Sequence, residues 1–330
     1  MANIAVIGAT TWGNTIGRLL ARKEIPVAIW ARTETRAREL TEEQRNLPAH
    51  IALTDYLSFT NNISEALHSA ELVIWAVPAQ SLRQNVRLIG NNITGDTILI
   101  SLAKGLEADS GKRMSEIITE EVASTSAEQV CVLSGPNLSQ EINRGLPATS
   151  ILAAGNTAIA EKAQSLLNST NFSIFISYDI VGVELCGALK NVIALGAGMV
   201  DGLDLGDNAK ATFITMGWDE VVSLGTALGA QTPTFYGLAG LGDLIATCAG
   251  SLSRNHHVGY EVAKGHPLTE VTASMVNVAE GIDTTMAAHH LAANLKLEVP
   301  IIDLIYGVLL GSLPPVEITN RFRDGLKPVL

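Results

Sequence analysis

Apolar residues in the first 180 positions fall into short runs separated by longer polar stretches. The runs Ile4–Ile7, Val27–Trp30, Leu72–Val77, Thr97–Ser101 and Val130–Leu133 have strand length, and polar segments such as Glu34–Arg45 suit helices. Such alternation predicts βαβ units and a parallel sheet covered on both faces. Thr149–Ala154 and Phe172–Ser177 form a further candidate strand pair, the second too short to assign a face. After about Asp179 the texture changes to long stretches of Ala, Leu, Gly and Met. Val181–Met199, Ala209–Leu228, Met275–Leu295 and Ile301–Leu310 read as helices, punctuated by Pro233, Gly237–Gly242, Pro267 and Pro300. The expectation is an α/β parallel-sheet domain over residues 1–180 and an all-α domain over 181–330. The tail Glu317–Leu330 mixes charges with Pro328 and reads as poorly ordered.

Composition narrows the function classes. The chain has 330 residues, of which 47% are hydrophobic and 17% charged, with a formal net charge of −11. That balance excludes disorder and argues against a nucleic-acid or anionic-membrane partner, both of which want a basic face. Three cysteines, Cys131, Cys186 and Cys248, make no disulfide framework and fit a reducing cytosolic compartment. A mean hydropathy of +0.26 raises the membrane question. The best spanning candidate, Val181 to Val200, carries Glu184, Lys190 and Asn191, and Leu304–Leu313 is too short to span. No export signal opens the chain. A soluble protein with a large core is expected.

The first strand runs into Gly8-Ala-Thr10-Thr-Trp-Gly13 and then a helix. A Gly-x-Gly-x-x-Gly turn in this context binds dinucleotides, and the helix N-terminus offers N–H donors to the pyrophosphate. This makes the first domain Rossmann-type. Gly8 and Gly13 match, but Thr10 takes the middle position, where a Cβ should push the pyrophosphate outward or lower affinity. At the end of the second strand Arg32 stands where an acidic residue would grip an NAD ribose. A cation there accommodates a 2′-phosphate, which favours NADPH over NADH; a solvated strand-end charge is the competing reading.

Lys190 has Gly187 and Ala194 three and four residues away on its predicted helix. Desolvation on so small and apolar a face would lower its pKa toward neutrality, whereas a snorkelling lysine would keep its head in water. Lys104 follows a strand and precedes Gly105, placing it in a loop at the C-terminal edge of the sheet, where α/β ligands bind. Ser134-Gly-Pro-Asn137 also follows a strand. Gly240-Leu-Gly-Asp243 reads as a tight loop presenting one carboxylate, with a helix N-cap as the alternative. Ser253-Arg254-Asn255 offers a hydroxyl, a guanidinium fork suited to phosphate and an amide.

In order and spacing, several segments closely resemble the bacterial-type NAD(P)-dependent sn-glycerol-3-phosphate dehydrogenases. They are Trp75-Ala-Val-Pro-Ala-Gln80, Lys104-Gly-Leu-Glu107, Ser134–Asn137, Glu184–Asn191, Gly240–Asp243, Ser253–Asn255 and Ala279-Glu-Gly281. The resemblance runs from about residue 3 to about 312. It implies interconversion of dihydroxyacetone phosphate and glycerol 3-phosphate for phospholipid synthesis in the cytoplasm, with the active site between the two domains. By this matching Lys190 is the proton-transfer residue and also touches substrate. Lys104, Gly135, Asn137, Asp243, Ser253, Arg254 and Asn255 face the substrate, with Asn137 replacing the more usual Ser or Thr. Gly8, Thr10, Thr11, Trp12, Gly13, Arg32, Lys104, Ser139, Arg254, Val278 and Glu280 face the cofactor. NADPH is the expected cofactor with NADH as the alternative, and a homodimer is the family's expected assembly.

Other readings compete. One is a different two-domain reductase of the β-hydroxyacid-dehydrogenase type. Another is a non-catalytic dinucleotide sensor, which Thr10 supports and which Lys190, Asp243 and Arg254 oppose. The adjacent pairs His256-His257 and His289-His290 do not share a helix face, and no metal motif is present.

Overall fold

The computed structural model describes residues 3–47, 53, 55–249, 253–275 and 277–323. The chain divides into two compact units. One joins the residues up to Ala103 with Met114–Ile180, and the other joins Lys104–Arg113 with those from Val181 onward. The loop 104–113 therefore departs from a linear division at residue 180.

The first unit is built on one eight-stranded sheet. Its strands are β1 (Asn3–Ile7), β2 (Val27–Trp30), β3 (Leu57–Thr60), β4 (Ala70–Trp75), β5 (Ile98–Ser101), β6 (Val130–Ser134), β7 (Ala148–Ala154) and β8 (Phe172–Ser177), in the order β3-β2-β1-β4-β5-β6-β7-β8. β1 pairs in parallel with β2 on one side and β4 on the other, so the strand order reverses beside it. Ligands of open α/β sheets bind at the C-terminal ends of strands at such a switch point. Alternation along β1 feeds two cores. Ile4 and Val6 pack into a cluster on one face, and Ala5 and Ile7 into a cluster on the other. Burial on both faces is why these strands read as continuous apolar runs.

The sheet is mostly parallel, as expected, with two additional features. β6 and β7 pair antiparallel, while β7 and β8 are parallel to each other. β3 is an additional strand; Leu-Ser-Phe-Thr is too short and mixed for its pattern to register.

The second unit is helical. Its longer helices are Ile180–Gly202, Asp207–Ala227, Arg254–Ala263, Gly281–Leu295, Pro300–Leu309 and Val316–Arg323. The first is long and apolar enough to cross a membrane, yet 89% of its most apolar window is buried inside the protein, as in a core helix. The helix expected to begin at Met275 begins at Gly281. Part of the tail expected to be poorly ordered is the helix Val316–Arg323, whose Ile318 is buried; Pro328 lies outside the described residues.

Two contacts fix this packing. Helix Arg254–Ala263 crosses helix Ile180–Gly202 so closely that a Cβ on Gly259 would lie 1.9 Å from the Leu195 carbonyl oxygen. A Cβ on Gly198 would lie 2.0 Å from that of His256. Glu220, 2% exposed, accepts hydrogen bonds from the Ile301 and Ile302 N–H groups at 2.7 and 2.9 Å. It thus caps the helix after Pro300, where Val299 has no side-chain acceptor. Burial pushes its carboxyl up to about 7, against the pull of those two N–H bonds.

Gly259→Ala and Gly198→Ala are expected to destabilise the protein by about 1–3 kcal/mol each, the usual scale of overpacking. Thermal unfolding measures this; an unchanged Tm for both would show that the helices can separate without cost.

Candidate functional site

In the first unit two of the candidate cofactor residues, Gly8 and Thr10, meet at one carbonyl group. Gly8 sits at the end of β1 with φ +114°, and a Cβ there would lie 2.8 Å from the Ala76 oxygen. Thr10 precedes helix Thr11–Ala21 in extended conformation, and its Oγ1 donates to that same Ala76 oxygen at 2.8 Å. Oγ1 also accepts from the Gly13 N–H at 3.1 Å. A Cβ on Gly13 would lie 2.1 Å from the Gly8 oxygen. Thr10 is thus the helix N-cap and ties the turn to the end of β4. The helix still points the first-turn N–H groups of Thr11 and Trp12 out of its N-terminus. The Trp12 ring packs edge-on against Phe172 with centroids 6.2 Å apart, so its side chain serves the core.

Arg32 follows β2, is exposed, and donates to Gln84 Oε1 at 3.2 Å. Gly135 and Asn137 follow β6, and Ser139 opens the short helix Ser139–Asn143. Asn137 Nδ2 donates to Ser150 Oγ at 2.9 Å.

In the second unit three charged candidates form one array, in which Lys190 and Asp243 are buried and Lys104 is half-buried. Lys190 is 5% exposed and Asp243 2%. Lys190 Nζ donates to Asp243 Oδ1 at 2.5 Å and to Thr247 Oγ1 at 2.6 Å. Lys104 Nζ donates to the other carboxylate oxygen, Oδ2, at 2.7 Å. Thr247 in turn donates to the Asp243 carbonyl at 2.6 Å, one helical turn back. The snorkelling alternative for Lys190 fails, because its ammonium group is enclosed. Burial lowers its pKa to about 8, with Lys104 acting in the same direction and Asp243 opposing both.

Gly240–Asp243 is not the tight loop that its glycines suggested. Leu238–Gly242 is one wide π turn, and Asp243 is the first residue of helix Asp243–Ala249. A Cβ on Gly240 would lie 2.2 Å from the Phe235 oxygen, so the close approach there needs glycine.

An amide chain extends this array. Asn191 Nδ2 donates to the Lys104 carbonyl at 3.0 Å, Asn255 Nδ2 donates to Asn191 Oδ1 at 2.9 Å, and the Gly281 N–H donates to Asn255 Oδ1 at 2.9 Å. Val278 and Glu280 lie just before Gly281, and Val278 is 49% exposed. Ser253 caps the Arg254 helix by accepting from the His256 N–H at 3.2 Å. Arg254 is exposed and has no ion pair among the described residues. The loop carrying Lys104 is anchored at its far end, where Arg113 pairs with buried Glu184 at 2.7 Å.

Asn191 and Thr247 join this array although no motif marks a role for them in the sequence. Thr247 is four positions after Asp243, a spacing that only a helix turns into contact. No group of three or more metal-ligating His, Cys, Asp or Glu side chains occurs among the described residues.

The family model for the NAD-dependent glycerol-3-phosphate dehydrogenase N-terminus matches residues 3–160, and that for the C-terminus matches residues 179–320. The chain belongs to the NAD-dependent glycerol-3-phosphate dehydrogenase family. A Dehalococcoides mccartyi glycerol-3-phosphate dehydrogenase (NAD(P)+) is 47% identical over 98% of this chain and 91% of its own length. A Chlorobium phaeobacteroides protein of the same name is 40% identical over 94% of each chain. The crystal structure of glycerol-3-phosphate dehydrogenase from Coxiella burnetii superposes with a TM-score of 0.90 at 29% identity, covering 98% of this chain and 99% of that one. Family membership supports a nicotinamide cofactor.

Thr10→Val, which keeps the shape but removes the hydroxyl, is expected to lower stability by about 1 kcal/mol, while Thr10→Ser stays near the parent. Chemical denaturation of the apoprotein measures both. Equal stability of Thr10→Val and the parent would mean that the cap carries no weight.

Proposed function

We propose that the chain interconverts dihydroxyacetone phosphate and sn-glycerol 3-phosphate, with Lys190 as the group that gives and takes the proton. The observation that carries this reading is the buried Lys190–Asp243 pair with Lys104 on its other carboxylate oxygen, in a chain of this family. In ketone reduction the nicotinamide cofactor supplies a hydride to carbon, and the developing alkoxide needs a proton. Lys190 Nζ supplies that proton. Its pKa of about 8 lets it donate and recover a proton near neutral pH. Asp243 and Thr247 hold the amine in place, and Lys104 adds a second positive charge beside the reacting oxygen. Gly135, Asn137, Ser253, Arg254 and Asn255 complete the substrate set, with the exposed Arg254 fork suited to the phosphate.

The first unit fits a dinucleotide. Gly8 and Gly13 allow a turn that any Cβ would fill, at the N-terminus of an 11-residue helix. The residues that would hold it are Gly8, Thr10, Thr11, Trp12, Gly13 and Ser139, with Lys104, Arg254, Val278 and Glu280. Thr10 contributes through the turn it caps, and Trp12 through its backbone. Arg32, exposed after β2, supports a preference for NADPH. A cytosolic location and a part in glycerophospholipid synthesis follow as part of this reading, the former supported by the cysteine usage.

Four outcomes are expected. Dihydroxyacetone phosphate is reduced with a higher kcat/KM for NADPH than for NADH, and Arg32→Ala raises KM for NADPH while nearly sparing NADH; no turnover with either cofactor would favour a sensor. Lys190→Ala lowers kcat by roughly 10²-fold or more, and a near-normal rate would remove Lys190 from the mechanism. Reduction needs the protonated amine, so its rate falls as pH rises through about 8, and oxidation gains over the same range. Asp243→Asn removes the charge that raises the Lys190 pKa, so both limbs should move to lower pH. A shift to higher pH would contradict the assigned electrostatics.

A further inference from the structure

The end of β6 holds a second arrangement that the proton transfer does not use. Ser150, on β7 and 0% exposed, donates from Oγ to the Ser134 carbonyl at 3.0 Å. With its proton committed, Oγ can only accept from its other neighbour, and that neighbour is Asn137 Nδ2 at 2.9 Å. The Asn137 amide is therefore held one way round, with Nδ2 toward Ser150 and Oδ1 turned from it. Oδ1 is enclosed and accepts no hydrogen bond from any described residue. An enclosed acceptor without a donor is costly and rare in folded proteins. The backbone beneath is fixed as well: Gly135 has φ +146°, and a Cβ there would lie 3.2 Å from Ser150 Cα and from the Thr149 oxygen.

We propose that Ser150 is a positioning residue that makes Asn137 Oδ1 an acceptor for the terminal hydroxyl of dihydroxyacetone phosphate. This rests on the reading of Asn137 as a substrate residue. The ketone and the phosphate oxygens of the substrate accept hydrogen bonds; the hydroxyl on C1 is its one neutral donor. A fixed acceptor can match only that group. A rotating Ser or Thr hydroxyl at position 137 could donate or accept, whereas the amide locked by Ser150 presents one polarity. Ser150 and Asn137 together thus make the site select for a hydroxymethyl ketone over a methyl ketone.

Steady-state kinetics with dihydroxyacetone phosphate and with acetol phosphate, which has a methyl group in place of the hydroxymethyl, tests this. The parent is expected to favour dihydroxyacetone phosphate in kcat/KM by roughly tenfold or more. Ser150→Ala should erase most of that preference by raising KM for dihydroxyacetone phosphate, leaving acetol phosphate and the directly measured cofactor Kd unchanged. In an Asn137→Ser background, Ser150→Ala should have no further effect on the preference. If Ser150→Ala does not fold, Ser150→Cys, which keeps the size and weakens the acceptor, should lower the preference in the same direction. Equal losses on both substrates would mean a structural role and overturn the proposal. An unchanged preference in Ser150→Ala, with a loss in Asn137→Ala, would leave Asn137 on the substrate but acting without Ser150. No effect of Asn137→Ala on either substrate would remove the substrate reading of Asn137 itself, and the proposal with it.

Discussion

Asp243 lies between two ammonium groups, giving one carboxylate oxygen to Lys190 and the other to Lys104. Burying an isolated ammonium group costs several kcal/mol, and removing one partner of a buried pair typically costs about 3–5 kcal/mol. The carboxylate offsets that cost for Lys190 only in part, because burial and the second lysine both oppose the charge. This incomplete compensation places the amine near neutrality. A fully compensated lysine would hold its proton too tightly, and a solvated one would hold it at its ordinary value.

The geometry of the array depends on close backbone packing. The π turn Leu238–Gly242 puts Asp243 at the start of its helix, and Gly240 lets that turn sit against Phe235. Gly198 and Gly259 let helix Arg254–Ala263 approach the Lys190 helix. Asn255 then reaches Asn191, and Asn191 reaches the Lys104 backbone. Lys104 arrives on a loop whose other end is pinned by Arg113 and Glu184. Each contact is short-range, but together they fix the lysine–carboxylate separations on which the pKa depends.

Much of this was legible in the sequence, for physical reasons that also explain the remainder. Strands buried on both faces must be apolar throughout, so β1, β2, β4, β5 and β6 stood out. β3 has exposed Ser58 between buried Leu57 and half-buried Phe59, and four such residues carry too little pattern. Lys190 was marked by its small neighbours Gly187 and Ala194, and the structure encloses it. Asp243 was found but placed in a loop, because glycines in sequence signal turns and a π turn has no separate signature. Thr10 read as damage to a fingerprint; its partner, the Ala76 carbonyl, is 66 residues away and invisible to local reasoning. The same distance effect hid the attachment of residues 104–113 to the helical unit and the capping of Ile301 and Ile302 by Glu220.

The proposed proton transfer turns on the proton affinity of one amine. Titration of the Lys190 side chain in the apoprotein, by NMR of ε-13C-labelled lysine with Lys190→Arg to assign the signal, measures it directly. The expected midpoint is near 8, moving lower in Asp243→Asn. A midpoint near the ordinary lysine value of 10.5, unmoved by Asp243→Asn, would contradict it.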